Sequence, residues 1–243
     1  MGFSPFRDYL LLYHGLGSEN FLMNALIHTV LKNVLAVLFP ERCLGCKTPR
    51  TLFCENCRAK TKERRVEIAT FPFLDRVYCY GYYDDRLLRE VLRRFKYHGI
   101  TELSQPLAEM LWELLSDEGL VFRPQETLLL AIPLSRERRR ERGYNQAELL
   151  AESLSQKLSL PLEKGLLQRA RHTPSQTGLS PKERIRNVKN SFVVSSPLRI
   201  SGKIIVLVDD ISTTGATLSE AARALKEGGA RKVIGLVLSL IHI

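Results

Sequence analysis

Residues 203–217 read Lys203-Ile204-Ile205-Val206-Leu207-Val208-Asp209-Asp210-Ile211-Ser212-Thr213-Thr214-Gly215-Ala216-Thr217. The unbroken apolar run from Ile204 to Val208 predicts a strand buried on both faces, as in a parallel sheet covered by helices. Thr217 to Lys226 has helical spacing and is closed by Gly228-Gly229, and Lys232 to Leu238 reads as the next strand. Strand, helix, strand in that order is the βαβ unit of an α/β fold, in which ligands bind at the carboxyl ends of the strands.

The residues between the first strand and the helix carry the chemistry. Asp209 and Asp210 are adjacent carboxylates at the end of a buried strand, where they repel each other and need hydroxyls, cations or water around them. Ile211 to Thr217 then supplies hydroxyls, a glycine and backbone N–H groups at a helix N-terminus, a ready site for a phosphate. Taken singly, Thr214 and Thr217 also read as N-caps and the aspartates as a solvated strand end. The run taken as a whole favours a polar, phosphorylated ligand.

Upstream, Thr127 to Ile132 is a second buried strand ended by Pro133, and Asn145 to Leu158 is helical with Leu149, Leu150, Leu154 and Leu158 on one side. Between them lies the basic segment Ser135 to Arg142, read as a loop. Asp85 to Tyr97 and Ser104 to Ser116 have helical apolar spacing, the first stopped at His98-Gly99. Tyr78, Tyr80, Tyr82 and Tyr83 alternate as in a strand, which favours packing over base stacking.

The chain has 243 residues, 44% hydrophobic and 26% charged, enough for one full α/β core plus a small appendage and unlike a disordered or fibrous chain. Its net charge of +10 is local. Residues 136–142 carry five arginines against two glutamates, and residues 164–189 carry seven Lys/Arg against one glutamate. Such patches suit phosphorylated small molecules, nucleic acid or anionic lipid. Met23 to Phe39 is amphipathic, interrupted by Asn24, His28, Lys32 and Asn33, and short of the roughly 20 apolar residues of a spanning helix. With no export signal read at the N-terminus, the chain is expected in the cytoplasm. Residues 1–22 show no pattern, and residues 238–243 match the translation of a transposon end used in sequencing libraries.

Cys43, Cys46, Cys54 and Cys57 form C-x2-C-x7-C-x2-C. Two disulfides and a redox CxxC are alternatives, but the first is disfavoured in a reducing cytosol and the second normally occurs singly beside a βαβ unit. The spacing favours a closed, structural four-thiolate zinc site that staples a module too small for its own core. Cys79, in the run Val77 to Gly81, reads as a packed thiol. The domains expected are 23–65, a helix plus the zinc module, and 71–238, the α/β domain, with Phe71-Pro72-Phe73 as the linker.

Val206 to Thr217 resembles the phosphoribosyl pyrophosphate (PRPP) signature of type I phosphoribosyltransferases. The resemblance implies that Asp209 and Asp210 hold the ribose hydroxyls, directly or through Mg²⁺, as the catalytic pair, and that Thr213, Thr214, Gly215, Ala216 and Thr217 wrap the 5-phosphate. It puts Ser135, Arg136, Arg139 and Arg142 in the pyrophosphate loop, and Arg169, Arg171, Thr173, Gln176, Arg184 and Asn187 in a mobile loop that closes over substrate. Several purine-type members carry a carboxylate where this chain has Thr213, so no general base is assigned.

These elements in this order, with the four-cysteine front end and Phe95-Lys96-Tyr97-His98-Gly99, resemble the ComF family of competence-associated proteins over residues 23 to 237. That resemblance implies a type I phosphoribosyltransferase-like domain binding PRPP and Mg²⁺, linked to uptake or handling of single-stranded DNA alongside competence helicase machinery. The alternatives are transfer to an unidentified small acceptor and a regulator that binds PRPP without turnover.

Overall fold

The computed structural model describes residues 41–62, 66–68, 71–170 and 181–241. The helix expected over 23–39 and loop residues Arg171, Thr173 and Gln176 lie outside the described residues. The chain divides into two compact units, Met1–Arg42 and Cys43–Ile243; the second is described below.

Four parallel strands form its sheet in the order β2 (Arg76–Tyr82), β7 (Lys232–Leu240), β6 (Ile204–Ser212) and β3 (Thr127–Ala131), with β1 (Val66–Ile68) antiparallel outside β2. The register sets Val206 beside Ile234 and Leu129, and Asp209 beside Val237. Successive strand side chains point to opposite faces, so each interior strand feeds two cores. Val206, Val208, Ile234 and Leu236 join one buried cluster, whereas Ile205, Leu207, Val233 and Val237 join the other.

Helices α2 (Arg86–Tyr97), α3 (Ser104–Asp117) and α5 (Gln146–Leu158) contribute to the first cluster. In α2, Asp85 is the N-cap, its carboxylate accepting from Leu88 N at 2.8 Å, and Leu88, Val91, Leu92 and Phe95 are buried. Leu150 and Leu154 of α5 are fully buried; truncating either to alanine would cost about 2–5 kcal/mol. Helix α8 (Ala216–Glu227) covers the second face through Leu218, Ala221, Ala222 and Leu225.

The basic segment expected as a loop is a helix, α4 (Arg136–Arg142). Ser135 caps it, with Arg138 N donating to its Oγ at 3.3 Å, and Gly143 ends it at φ +80°, a conformation that favours glycine. Asn145 then starts α5, accepting from Ala147 N and donating through Nδ2 to Ile132 O at 2.9 Å, which ties both ends of the excursion together.

Strands β4 (Leu167–Arg169) and β5 (Phe192–Val194) form an antiparallel pair, with α6 (Pro181–Val188) before β5 and α7 (Pro197–Ile200) after it. The last strand runs to Leu240, beyond the expected Leu238, and Leu238 and Leu240 are buried.

The cysteine knuckle leads into α1 (Glu55–Lys62) and shares the first cluster, with Cys43, Phe53 and Cys57 buried alongside Tyr80 and Leu88. Tyr80 Oη donates to Arg58 O at 3.3 Å, and the Arg58 guanidinium stands 3.9 Å from both Glu109 and Glu113 of α3.

Candidate sugar-phosphate site and metal centre

Both acidic residues sit near the carboxyl end of β6. Asp210 is 5% exposed and Asp209 is half-buried at a cavity wall. Each carboxylate takes the next backbone N–H: Asp210 N donates to Asp209 Oδ1 at 2.9 Å and Ile211 N to Asp210 Oδ1 at 2.6 Å. Asp210 Oδ1 is also 2.9 Å from Lys96 Nζ, at the end of α2. Burial, then the like charge of Asp210, pushes Asp209 up from 3.8 to about 7, although Lys96 pulls the other way.

After the acid pair the chain turns through Thr213 and Thr214 to Gly215, which has φ +70° and precedes α8. A Cβ at Gly215 would lie 2.4 Å from the Phe71 ring, so that position needs glycine both for its backbone and for its neighbour. Thr214 Oγ1 accepts from Ala216 N at 3.4 Å. The first N–H groups of a helix lack intrahelical partners and carry the positive end of its dipole, so the turn can receive an anion.

Thr213, Gly215, Ala216 and Thr217 line the same cavity as Asp209 and Asp210, and its volume is about 410 Å³. Ser135, Arg138 and Arg142 line it as well. Arg142 lies 5.1 Å over the Tyr97 ring and donates to Gln146 at 3.0 Å. Arg169, at the end of β4, also reaches this cavity, 5.4 Å over the Phe192 ring. Burial and the nearby Arg138 lower the affinity of the Arg169 guanidinium for its proton, while Asp209 supports it.

Among the residues expected to hold pyrophosphate, Ser135 and Arg142 line this cavity. Arg136 and Arg139 line a neighbouring one of about 580 Å³, which shares Pro133, Leu134, Ser135 and Arg169 with the first. Arg139 is ion-paired with Glu148 there. Of the expected loop residues, Arg184 and Asn187 belong to α6. Lys96 and Arg138 also line the sugar-phosphate cavity, although no motif in the sequence marks them as site residues. The only prior sign of Lys96 was its place in Phe95-Lys96-Tyr97-His98-Gly99, just off the apolar face of a helix.

Four thiols, from Cys43, Cys46, Cys54 and Cys57, have their sulfurs within 4.8 Å of one another. Cys54 Sγ stands 3.6 Å from Cys43 Sγ and 3.5 Å from Cys46 Sγ. A zinc–sulfur bond of about 2.3 Å gives tetrahedral edges of about 3.8 Å, so these separations suit a four-coordinate ion. A Cβ at Gly45 would lie 2.6 Å from Cys57 Sγ, so this position must stay small for the cluster to close. Thr48 beside it holds the Cys46 thiol down at about 6, while burial and the neighbouring thiols push Cys57 up to about 12. Cys79 is apart and buried, its thiol donating to Gly81 O.

Residues 145–240 match the Phosphoribosyl transferase domain family. The match takes in β6, the strand-end turn, α8 and β7, so this part of the chain is a phosphoribosyl transferase domain, while β2 and β3 of the same sheet precede it. It is 29% identical to Competence protein F of Haemophilus influenzae over 96% of each chain. It is 37% identical to Competence protein ComFC of Bacillus subtilis over 60% of this chain and 56% of that one. Against DNA utilization protein YhgH of Escherichia coli K12 the identity is 32% over 60% of this chain and 64% of the relative. The chain is thus similar to competence proteins and DNA utilization proteins, along nearly its whole length in the first case and over about 60% of it in the other two.

Proposed function

We propose that this protein binds PRPP with Mg²⁺ in the cavity at the end of β6 and acts, in the cytoplasm, in the handling of single-stranded DNA during transformation. The observation that carries the reading is convergence: the acid pair, the glycine turn at the start of α8 and Arg138 and Arg142 line one cavity of about 410 Å³. Its relatives named as competence and DNA utilization proteins support the DNA context.

In this reading Asp209 and Asp210 accept from the ribose hydroxyls, the N-terminus of α8 and Thr213 to Thr217 hold the 5-phosphate, and Arg138 and Arg142 face the pyrophosphate. The donor set fits Mg²⁺, since carboxylate oxygens are the hard ligands that ion prefers. When bound, the ion would offset charge on the leaving pyrophosphate. The protein's own contribution to cleavage at ribose C1 is preorganised electrostatics: arginines meet the leaving group and carboxylates face the cationic, oxocarbenium-like sugar. The four thiols would hold zinc as a closed structural site, with no chemistry of its own.

A second reading, transfer to a small acceptor, is favoured by the adjoining cavity of about 580 Å³, which opens beside the proposed donor site across Ser135 and Arg169. Binding of a labelled single-stranded oligonucleotide, followed over a salt series with and without Mg²⁺ and PRPP, separates the two. DNA handling predicts binding that weakens with a log-log slope of about 0.7 per phosphate contacted and that changes when PRPP is present. Absence of oligonucleotide binding under all conditions would remove the DNA role and leave the acceptor reading.

A further inference from the structure

We propose that Lys96 is the resident counterion of the acid pair. It locks Asp210 in place through Oδ1 and keeps a divalent cation off that carboxylate in the free protein, so that the pair meets a ligand through hydroxyl contacts and not by jointly binding a bare cation.

The two aspartates are adjacent in sequence but differ in surroundings. Asp210 is 5% exposed, and its Oδ1 is held by Lys96 Nζ at 2.9 Å and by Ile211 N at 2.6 Å. Asp209 Oδ1 accepts from Asp210 N at 2.9 Å, with no ammonium or guanidinium paired to it among the described residues, and its side chain lies half-buried at the cavity. Lys96 is not a freely swinging surface lysine. Its side chain is 15% exposed, the preceding Phe95 is fully buried and its carbonyl accepts from Tyr144 Oη, and the following Tyr97 carries Arg142 over its ring. The ammonium is therefore delivered to Asp210 by a helix end fixed on both sides.

A cation bridging both carboxylates would have to displace this ammonium. That would leave a desolvated positive charge beside a divalent ion, in a cavity already faced by Arg138, Arg142 and Arg169. The field of the free site thus disfavours a bare metal ion and favours an anionic ligand. Lys96 also lies outside the family match at 145–240, so the site is completed by a residue from the N-terminal half of the chain.

This proposal deepens the sugar-phosphate reading, but its test needs no sugar phosphate. The measurement is Mn²⁺ binding to the zinc-loaded full chain, read from the electron paramagnetic resonance of free Mn²⁺. Wild type and Lys96→Arg are expected to show no site that Asp210→Asn removes. Lys96→Met should gain such a site, binding Mn²⁺ at least about tenfold more tightly than wild type does, by freeing Asp210 to act together with Asp209, and Lys96→Met/Asp210→Asn should lose it. A purely structural role for Lys96 would alter thermal stability without creating an Asp210-dependent site. A wild-type Mn²⁺ site abolished by Asp210→Asn overturns the proposal even where Lys96→Met fails to fold, and so does a folded Lys96→Met that gains no site. Failure of PRPP to bind would sink the functional reading while leaving this result intact.

Discussion

The ring of Phe71 lies against Gly215, at the turn that starts α8, so closely that a Cβ at that glycine would sit 2.4 Å from a ring carbon. A residue from the segment leading into β2 therefore buttresses the turn proposed to hold phosphate. Gly215→Ala should destabilise the protein by about 1–2 kcal/mol from the left-handed backbone alone, with more from the displaced ring, and should weaken PRPP binding. Phe71→Ala introduced alongside it should recover stability only in part, because the backbone strain persists. Thermal melts and ligand titrations of Gly215→Ala and of the double variant check this.

The metal centre should prove structural. One zinc per chain is expected by elemental analysis, lost in Cys57→Ser. Because Cys43, Phe53 and Cys57 share a buried cluster with Tyr80 and Leu88, chelation should lower the melting temperature of the sheet domain as well as free the knuckle. Metal binding of this kind is coupled to folding, with an effect on the order of several kcal/mol. A sheet domain whose melt is unmoved by zinc removal contradicts this coupling.

Ligand binding should depend on pH through Asp209, whose carboxyl is raised from 3.8 to about 7. Deprotonation is needed for a charged acceptor, so affinity for PRPP should rise between pH 6 and pH 8, and Asp209→Asn should flatten the profile. Stability of the free protein responds in the opposite sense. A group with a raised native value favours the fold fully below its unfolded value near 3.8, and that contribution is lost as pH rises through about 7. Melting curves with and without ligand at both pH values test the two signs together.

The arginines of α4 should separate by face. Arg142→Ala and Arg138→Ala, at residues that line the sugar-phosphate cavity, should each weaken PRPP binding by about 10- to 150-fold, given charge-assisted contacts of about 1.5–3 kcal/mol, and leave ribose 5-phosphate binding little changed. Arg139→Ala should have a smaller effect, because that side chain faces the neighbouring cavity and pairs with Glu148. Equal losses for Arg139→Ala and Arg142→Ala would contradict this division.

The strand-turn-helix-strand unit was legible because Ile204 to Val208 is a continuous apolar run, Val233 to Leu238 is apolar apart from Gly235, and Gly215 punctuates the segment between them. Helix α5 declared itself through Leu150 and Leu154. Helix α4 did not, since Arg136 to Arg142 has no apolar face; it depends on the Ser135 cap and on Gly143, local signals weaker than periodicity. Strands β1, β4 and β5, of three residues each, are too short to show alternation. Within the site, the acid pair and the glycine turn were visible as a contiguous motif. Lys96 was not, because its role depends on α2 ending beside β6, a tertiary relationship that no local pattern encodes. The division of Arg136 and Arg139 from Arg142 likewise follows from helical rotation about an axis the sequence reading had not assigned.

The most direct test of the central claim is isothermal titration of PRPP with Mg²⁺ into the zinc-loaded chain, beside an Asp209→Asn/Asp210→Asn variant of matched fold. Saturable binding near one PRPP per chain in wild type, lost in the variant, is the predicted result. Wild-type protein that is folded and binds no PRPP, or a variant that binds it equally well, would contradict the assignment of this cavity.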